Sequence, residues 1–180
     1  MINPGWGPFL FDTSAESWFA RVVDQGAARW WREYLQRNPV HVSSITVLER
    51  IRGYSMLWRT ANLGRRPAIE AARVAYFHAA RRVRSVDTAT AVVAGEIAAL
   101  VPDPPTPPKR SHRFAESRTE RLARWRFDAI IAATALVTGL TLIHNNPSDF
   151  EAIRSSIETN PERFSPVGSL NLIRCGVIGA

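Results

Sequence analysis

A chain of 180 residues with 46% hydrophobic side chains can bury one sizeable core, so a single domain over residues 1–180 is expected. Its 23 Lys and Arg against 16 Asp and Glu give a formal charge of +7, which favours anionic partners such as RNA, DNA or anionic lipid, although an Arg-rich composition unrelated to function reads the same way. Lys109 is the only lysine, so nearly all the positive charge is guanidinium, suited to bidentate phosphate contacts and to stacking on bases. The single Cys175 excludes an internal disulfide and a cysteine zinc cluster, and a reducing cytoplasm is the expected location. The opening Met-Ile-Asn-Pro-Gly-Trp-Gly-Pro has neither the basic nor the apolar part of a signal peptide. The longest apolar run, Ala129 to Ile143, is interrupted by Thr134, Thr138, Gly139 and Thr141 and is too short to cross a membrane, so no membrane partner is expected.

Pro8 to Phe11 reads as a strand that stops at Asp12-Thr13-Ser14, where side-chain hydrogen bonding favours a helix start. Glu16 to Arg37 carries Trp18, Phe19, Val22, Ala27, Trp30, Trp31 and Tyr34 at helical spacing, which predicts two helices with a break at Gly26. Val40 to Ser43 is a second strand, and Ile45 to Ala61 a helix with the stripe Ile45, Leu48, Ile51, Met56 and Leu57. A further helix over Ala68 to Arg82, a weak strand over Val83 to Val86 and an Ala-rich helix from Asp87-Thr88 to near Val101 follow. The prolines of Pro102 to Pro108 remove amide donors and bias their neighbours to extended backbone, so this stretch is an exposed loop or arm. A basic helical segment from Ser111 to Arg126 leads to Asp128, a buried helix over Ala129 to Thr138, a strand over Thr141 to His144, a short helix near Glu151 and an apolar segment over Leu170 to Ile173. This alternation predicts an α/β sandwich of three layers with a mostly parallel central sheet.

Functional groups in such a sheet gather at the carboxyl ends of the strands. Asp12 follows the first strand, Glu49 lies inside the helix after the second, Asp128 precedes another strand, and Asn145, Asn146 and Asp149 follow it. Carboxylates crowded together repel unless a hard cation neutralises them, and Mg²⁺ or Mn²⁺ takes oxygen ligands. Each residue also has a structural reading. Thr13 to Glu16 and Thr46 to Glu49 match a capping box, Asp128 can pair with Arg124 four residues earlier, and Asp149 can cap a helix. Trp30, Trp31 and Trp58 read first as core, and the four histidines show no metal-ligand spacing.

The sequence resembles the PIN-domain family, and within it the VapC-type toxins of toxin–antitoxin pairs. The resemblance rests on Phe9-Leu10-Phe11-Asp12-Thr13-Ser14-Ala15, on Val42 to Gly53 with Glu49, and most on Phe127-Asp128-Ala129-Ile130-Ile131-Ala132-Ala133-Thr134-Ala135-Leu136 with the following Gly139 to Asp149. It implies a PIN-like α/β/α sandwich and a metal-dependent endoribonuclease with Asp12, Glu49 and Asp128 as metal-organising acids. It further implies Mg²⁺ or Mn²⁺ as cofactor, an RNA substrate, a small antitoxin that blocks the site, and a homodimer. The family's fourth position falls on Asn146, with Asp149 beside it, and His144-Asn145 stands where the family carries Thr-Arg. Since a carboxylate binds a hard cation more strongly than an amide, Asp149 is expected to outweigh Asn146 if both reach the metal. The Pro-rich and basic stretch at about 102–126 is longer than in typical members. Its Lys109, Arg110, His112, Arg113, Arg118, Arg121 and Arg124 form either an RNA-binding arm or a solvated basic helix. Two rival functions stand beside this one: a nuclease of the same fold acting on DNA or in RNA maturation, and a catalytically silent module that binds nucleic acid or protein.

Overall fold

The structure is a computed structural model and describes residues 2–79, 81–105, 110–111, 114–165 and 167–178. In chain order it comprises β1 (Phe9–Phe11), α1 (Thr13–Phe19), α2 (Gln25–Arg37), β2 (Val40–Ser43), α3 (Ser44–Thr60), α4 (Arg66–His78), β3 (Arg81–Arg84) and α5 (Thr88–Leu100). There follow β4 (Arg110–Ser111), β5 (Phe114–Ala115), α6 (Arg118–Thr138), β6 (Thr141–His144), α7 (Pro147–Thr159), α8 (Pro161–Phe164) and β7 (Leu172–Arg174). Five strands pair in the order β3-β2-β1-β6-β7, every pair parallel, and β4 and β5 form a separate antiparallel ladder. The expected α/β class and parallel central sheet are therefore present.

The pleat sends alternate residues to opposite faces, and this divides the core in two. Phe9, Phe11, Val40, Val42 and Ile143 pack with Phe19, Trp30 and Tyr34 of α1 and α2. Leu10 and Leu142 face the other way, onto α5, α6 and α7 through Ile97, Ile131, Ala132, Leu136, Phe150 and Ile153. On the first face Trp30 and Tyr34 stack with centroids 5.2 Å apart, and Phe11 meets Tyr34 edge-on at 5.3 Å. The Tyr34 hydroxyl accepts from the Phe9 amide and donates to the Pro39 carbonyl, both at 3.0 Å, so burying it strands no polar group. On the second face the alanines of α6 let neighbouring helices approach closely. Trp125 is fully buried there, its indole N–H donating to the Val101 carbonyl at 2.9 Å.

Several boundaries differ from the sequence reading. The helix expected to reach Arg82 stops at His78, and the strand begins at Arg81, in register with Val40. Arg81 has ordinary helical propensity, but pairing with β2 and an ion pair to the buried Glu16 outweigh it. The break between α1 and α2 falls at residues 20–24 and not at Gly26, because the Asp24 side chain accepts from the Ala27 amide at 2.8 Å and caps α2. The expected basic helix starts only at Arg118, where Ser117 and Glu120 make a capping box, and then runs unbroken to Thr138, ended by Gly139 at φ +64°. Within the proline stretch residues 102–105 form neither helix nor strand, while residues 106–109, 112 and 113, among them Lys109, His112 and Arg113 of the expected arm, lie outside the described residues. In the α3 stripe Ile45 packs against the core, whereas Leu48, Met56 and Leu57 are 47%, 54% and 57% exposed, so the stripe is only partly a core stripe. Trp30 is core as expected, whereas Trp58 is 42% exposed under the Arg66 guanidinium. Among the described residues no helix is long and apolar enough to cross a membrane.

Candidate active site

The chain leaves β1 toward β2 on one side, while β6 lies on the other, so the sheet has its switch point between β1 and β6. Asp12 is the first residue beyond β1. Its amide donates to the Ile143 carbonyl of β6 at 3.0 Å, and its carboxylate caps α1 by accepting from the Ala15 amide. Ser14 donates to Asp12 Oδ2 at 2.7 Å and accepts from the Asn145 amide at 3.2 Å, which ties the end of β1 to the end of β6. Glu49 projects from α3 and accepts from the Thr13 hydroxyl.

Asp128 comes from α6, the helix that leads into β6, and Asn146 follows β6 directly. The Asn146 Nδ2 donates to Asp128 Oδ2 at 3.1 Å and to Asp149 Oδ2 at 2.7 Å. Asp149, in the first turn of α7, is fully buried and also accepts from Arg124 NH1 at 3.1 Å. Arg124 stands one helical turn before Asp128, and its Nε and NH2 donate to the two Glu116 oxygens at 3.1 and 3.2 Å. A cleft of about 380 Å³ is lined by Asp12, Ser14, Glu49, Arg124, Asp128 and Asn146. A second hollow of about 450 Å³ shares Glu49 and Arg124 with it and extends between α3 and α6 past Arg52, Met56, Glu116 and Phe127.

The electrostatics match this crowding. Burial pushes the Asp12 carboxyl up to about 7, the Glu49 charge adding to it and the bonds from Ala15 and Ser14 opposing it. Asp128 is held well above the usual carboxylate range, first by burial and then by the charges of Asp149, Asp12 and Glu49. The Glu116 hydrogen bonds, with the charges of Glu116, Asp149 and Asp128, hold Arg124 above its ordinary value, so it is a fixed cation. Burial pushes His144 down to about 4, and its ring lies against Phe150 with centroids 5.1 Å apart. His144 is therefore a neutral packing residue beneath the site.

Of the residues singled out in the sequence, Asp12, Glu49, Asp128 and Asn146 line one cleft, while Asp149 lies behind Asn146 with no part in the lining. Neither capping box forms at the two acidic helix starts. Asp12 itself caps α1, Ser43 caps α3 by accepting from the Ile45 amide, and Glu16 pairs with Arg81 and Arg50 in the interior. Sequence reasoning missed Ser14 and Thr13 as groups that hold the acids. It offered Arg124 as a structural partner of Asp128 at four-residue spacing, whereas the guanidinium pairs with Asp149 and Glu116. Glu116 carries no sequence signal of its own.

Among the described residues no three acidic, imidazole or thiol side chains are already gathered as a ligand group. The metal-binding atoms that the cleft wall offers are nevertheless hard oxygens, and the proton affinity of two of the carboxyls, Asp12 and Asp128, is raised by burial and neighbouring charge. Such a set suits a small divalent ion that keeps part of its water shell and takes only one or two carboxylates directly, as Mg²⁺ does.

The profile of the PIN domain matches residues 9–155, and the chain belongs to the PIN-domain family. Solved structures with the same fold include VapBC2 from Rickettsia felis bound to a DNA fragment from its promoter, at 15% identity and a TM-score of 0.58 over 92% of this chain and 97% of that one. DNA-bound VapBC from Salmonella typhimurium aligns at 21% identity and a TM-score of 0.56, over 93% and 97% of the two chains. FitAcB from Neisseria gonorrhoeae aligns at 17% identity and a TM-score of 0.55, over 94% and 99%. No curated protein sequence matches the chain.

Proposed function

We propose that the chain is a Mg²⁺- or Mn²⁺-dependent endoribonuclease, the toxin of a toxin–antitoxin pair, working as a cytoplasmic protein. The observation that carries this reading is the meeting of Asp12, Glu49 and Asp128, drawn from three separate elements, with Asn146 in one cleft at the carboxyl edge of a PIN fold. Without a cation the acids repel one another, and burial and mutual charge raise the proton affinity of Asp12 and Asp128, a crowding that a hard cation relieves.

Asp12, Glu49, Asp128 and Asn146 would hold the ion, which when bound lowers the pKa of a water and steadies the charge developing on a phosphate. The chain's own residues do the positioning. Ser14 and the Ala15 amide fix the Asp12 carboxylate, Thr13 orients Glu49, and Asp149 holds the Asn146 amide nitrogen so that its oxygen is the group left for the cleft. Glu49, which lines both hollows, is placed to act as a ligand or as the base that orients the attacking water. Arg52 on the neighbouring hollow and the exposed Arg118 offer guanidinium groups to an RNA backbone.

Two of the related structures are described as VapBC assemblies on DNA, which supports an antitoxin as the natural partner here. A homodimer is supported by Leu48, Met56 and Leu57 of α3 and Val74 and Phe77 of α4, large apolar side chains between 40% and 57% exposed.

The test is cleavage of a structured RNA with Mg²⁺ or Mn²⁺, with EDTA, and with Asp128→Asn. Metal-dependent cleavage lost in Asp128→Asn, with circular dichroism unchanged, is the expected result. A wild-type protein whose melting temperature ignores both ions and that leaves RNA intact would be a silent binding module. Cleavage confined to DNA would assign it to the other branch of the fold's nucleases.

A further inference from the structure

Five carboxylates stand in or beside the cleft, and they are not equivalent. Asp12, Glu49 and Asp128 line it, whereas Asp149 is fully buried and the Glu116 side chain is 6% exposed. The latter two share one guanidinium. Arg124 donates to Asp149 through NH1 and to both oxygens of Glu116 through Nε and NH2, in the forked geometry that arginine offers and lysine does not. The arrangement depends on α6 running unbroken from Arg118 through Asp128, which puts Arg124 on the same helical face as Asp128. Between Asp128 and Asp149 the chain places the neutral amide of Asn146, which donates to both and adds no negative charge.

A two-ion site holds its cations about 3.5–4 Å apart and needs anionic oxygens on both sides of the pair. Here the oxygens on the side of Asp149 and Glu116 are taken by guanidinium N–H groups. We infer that Arg124 is a built-in cation standing in for a second divalent ion, so that the cleft binds one Mg²⁺ or Mn²⁺ per chain. The inference rests on the proposed reading of the cleft as a divalent-cation site. Arg124 also lines the cleft, which sets its positive charge beside the bound ion and on the wall where a phosphate would lie.

The experiment counts Mn²⁺ bound to the full chain without RNA, by calorimetry and by the electron paramagnetic resonance signal of the free ion. Wild type is expected to bind one ion. Arg124→Gln leaves Asp149 and Glu116 without their guanidinium and is expected to bind two. The double variant Arg124→Gln, Asp149→Asn also removes one of the two carboxylates that Arg124 pairs, the one bonded to Asn146, and is expected to return to one. Wild type binding two ions, Arg124→Gln binding one with unchanged affinity, or the double variant binding two each overturns the inference while leaving the metal site intact. Wild type binding none overturns the functional reading on which the inference rests. Should Arg124→Gln fail to fold, Arg124→Met, which keeps the apolar stem without the charge, takes its place with the same expected count of two, and a count of one with unchanged affinity overturns the inference.

Discussion

The Asn146 amide nitrogen lies 2.7 Å from Asp149 Oδ2, although Asn146 lines the cleft and Asp149 is fully buried. From this placement we propose that Asn146 rather than Asp149 reaches a bound cation, whereas the chemistry of the two side chains alone favours the carboxylate. Asp149 anchors Asn146 and Arg124, so Asp149→Ala takes one acceptor from each of two half-buried donors and should cost about 1–3 kcal/mol of stability, the scale for losing a hydrogen-bond partner to a charged or buried group. Asn146→Ala should lower Mn²⁺ affinity more than it lowers stability. Parallel Mn²⁺ titrations and urea unfolding of both variants check this; an Asp149→Ala protein as stable as wild type but unable to bind metal would reverse the assignment.

The raised proton affinity of Asp12 makes a signed prediction about pH. In the unfolded chain this group titrates near the ordinary 3.8, in the folded one near about 7. Its contribution to stability is therefore full below about pH 4 and is lost as pH rises through 7. His144 acts in the opposite sense, its contribution present above the ordinary 6.5 and lost as pH falls toward about 4. Subtracting the melting curve of Asp12→Asn from that of metal-free wild type isolates the first effect, and the difference should shift against wild type between about pH 4 and 7. Because cation binding must expel these protons, Mn²⁺ affinity should rise over the same interval. Ser14→Ala removes a donor that lowers the Asp12 value and should move the affinity profile to higher pH.

The exposed apolar residues of α3 and α4 lead to a prediction about assembly. Leu57 and Phe77 are 57% and 55% exposed, and burying the remaining half of such side chains between two copies stabilises by about 1 kcal/mol each. Wild type should sediment as a dimer, and Leu57→Glu with Phe77→Glu as a monomer with unchanged circular dichroism. A wild-type monomer at micromolar concentration rules out this face as a self-association surface.

RNA binding should follow the guanidinium groups flanking the cleft. Replacing Arg52 and Arg118 with alanine should flatten the salt dependence of affinity, the log–log slope falling by about 0.7 for each single-strand phosphate that is no longer neutralised. Fluorescence anisotropy of a labelled RNA across salt concentrations, with Asp128→Asn in the background to prevent cleavage, measures this. An unchanged slope returns both residues to the role of solvated surface charge.

The alternation of strands and helices was legible because it depends on local pattern. Phe9-Leu10-Phe11 and Val40-His41-Val42 are too short and β-branched or aromatic to be helix, and the turn chemistry at Asp12 and Ser43 stops each strand where it does. Asp12, Glu49 and Asp128 could be found for the same reason, since a parallel sheet brings strand ends to one edge whatever the packing details. Local pattern could not show that Arg81 belongs to a strand, because its partners Glu16 and β2 are distant in sequence. Nor could it show that Leu48, Met56 and Leu57 face outward, since a helical stripe looks the same whether it meets the core or a second molecule. The division of labour among Asn146, Asp149, Arg124 and Glu116 was likewise decided only by tertiary structure. Burial and the reach of one guanidinium across 25 residues of chain separate the carboxylates that line the cleft from the one that holds its wall in place.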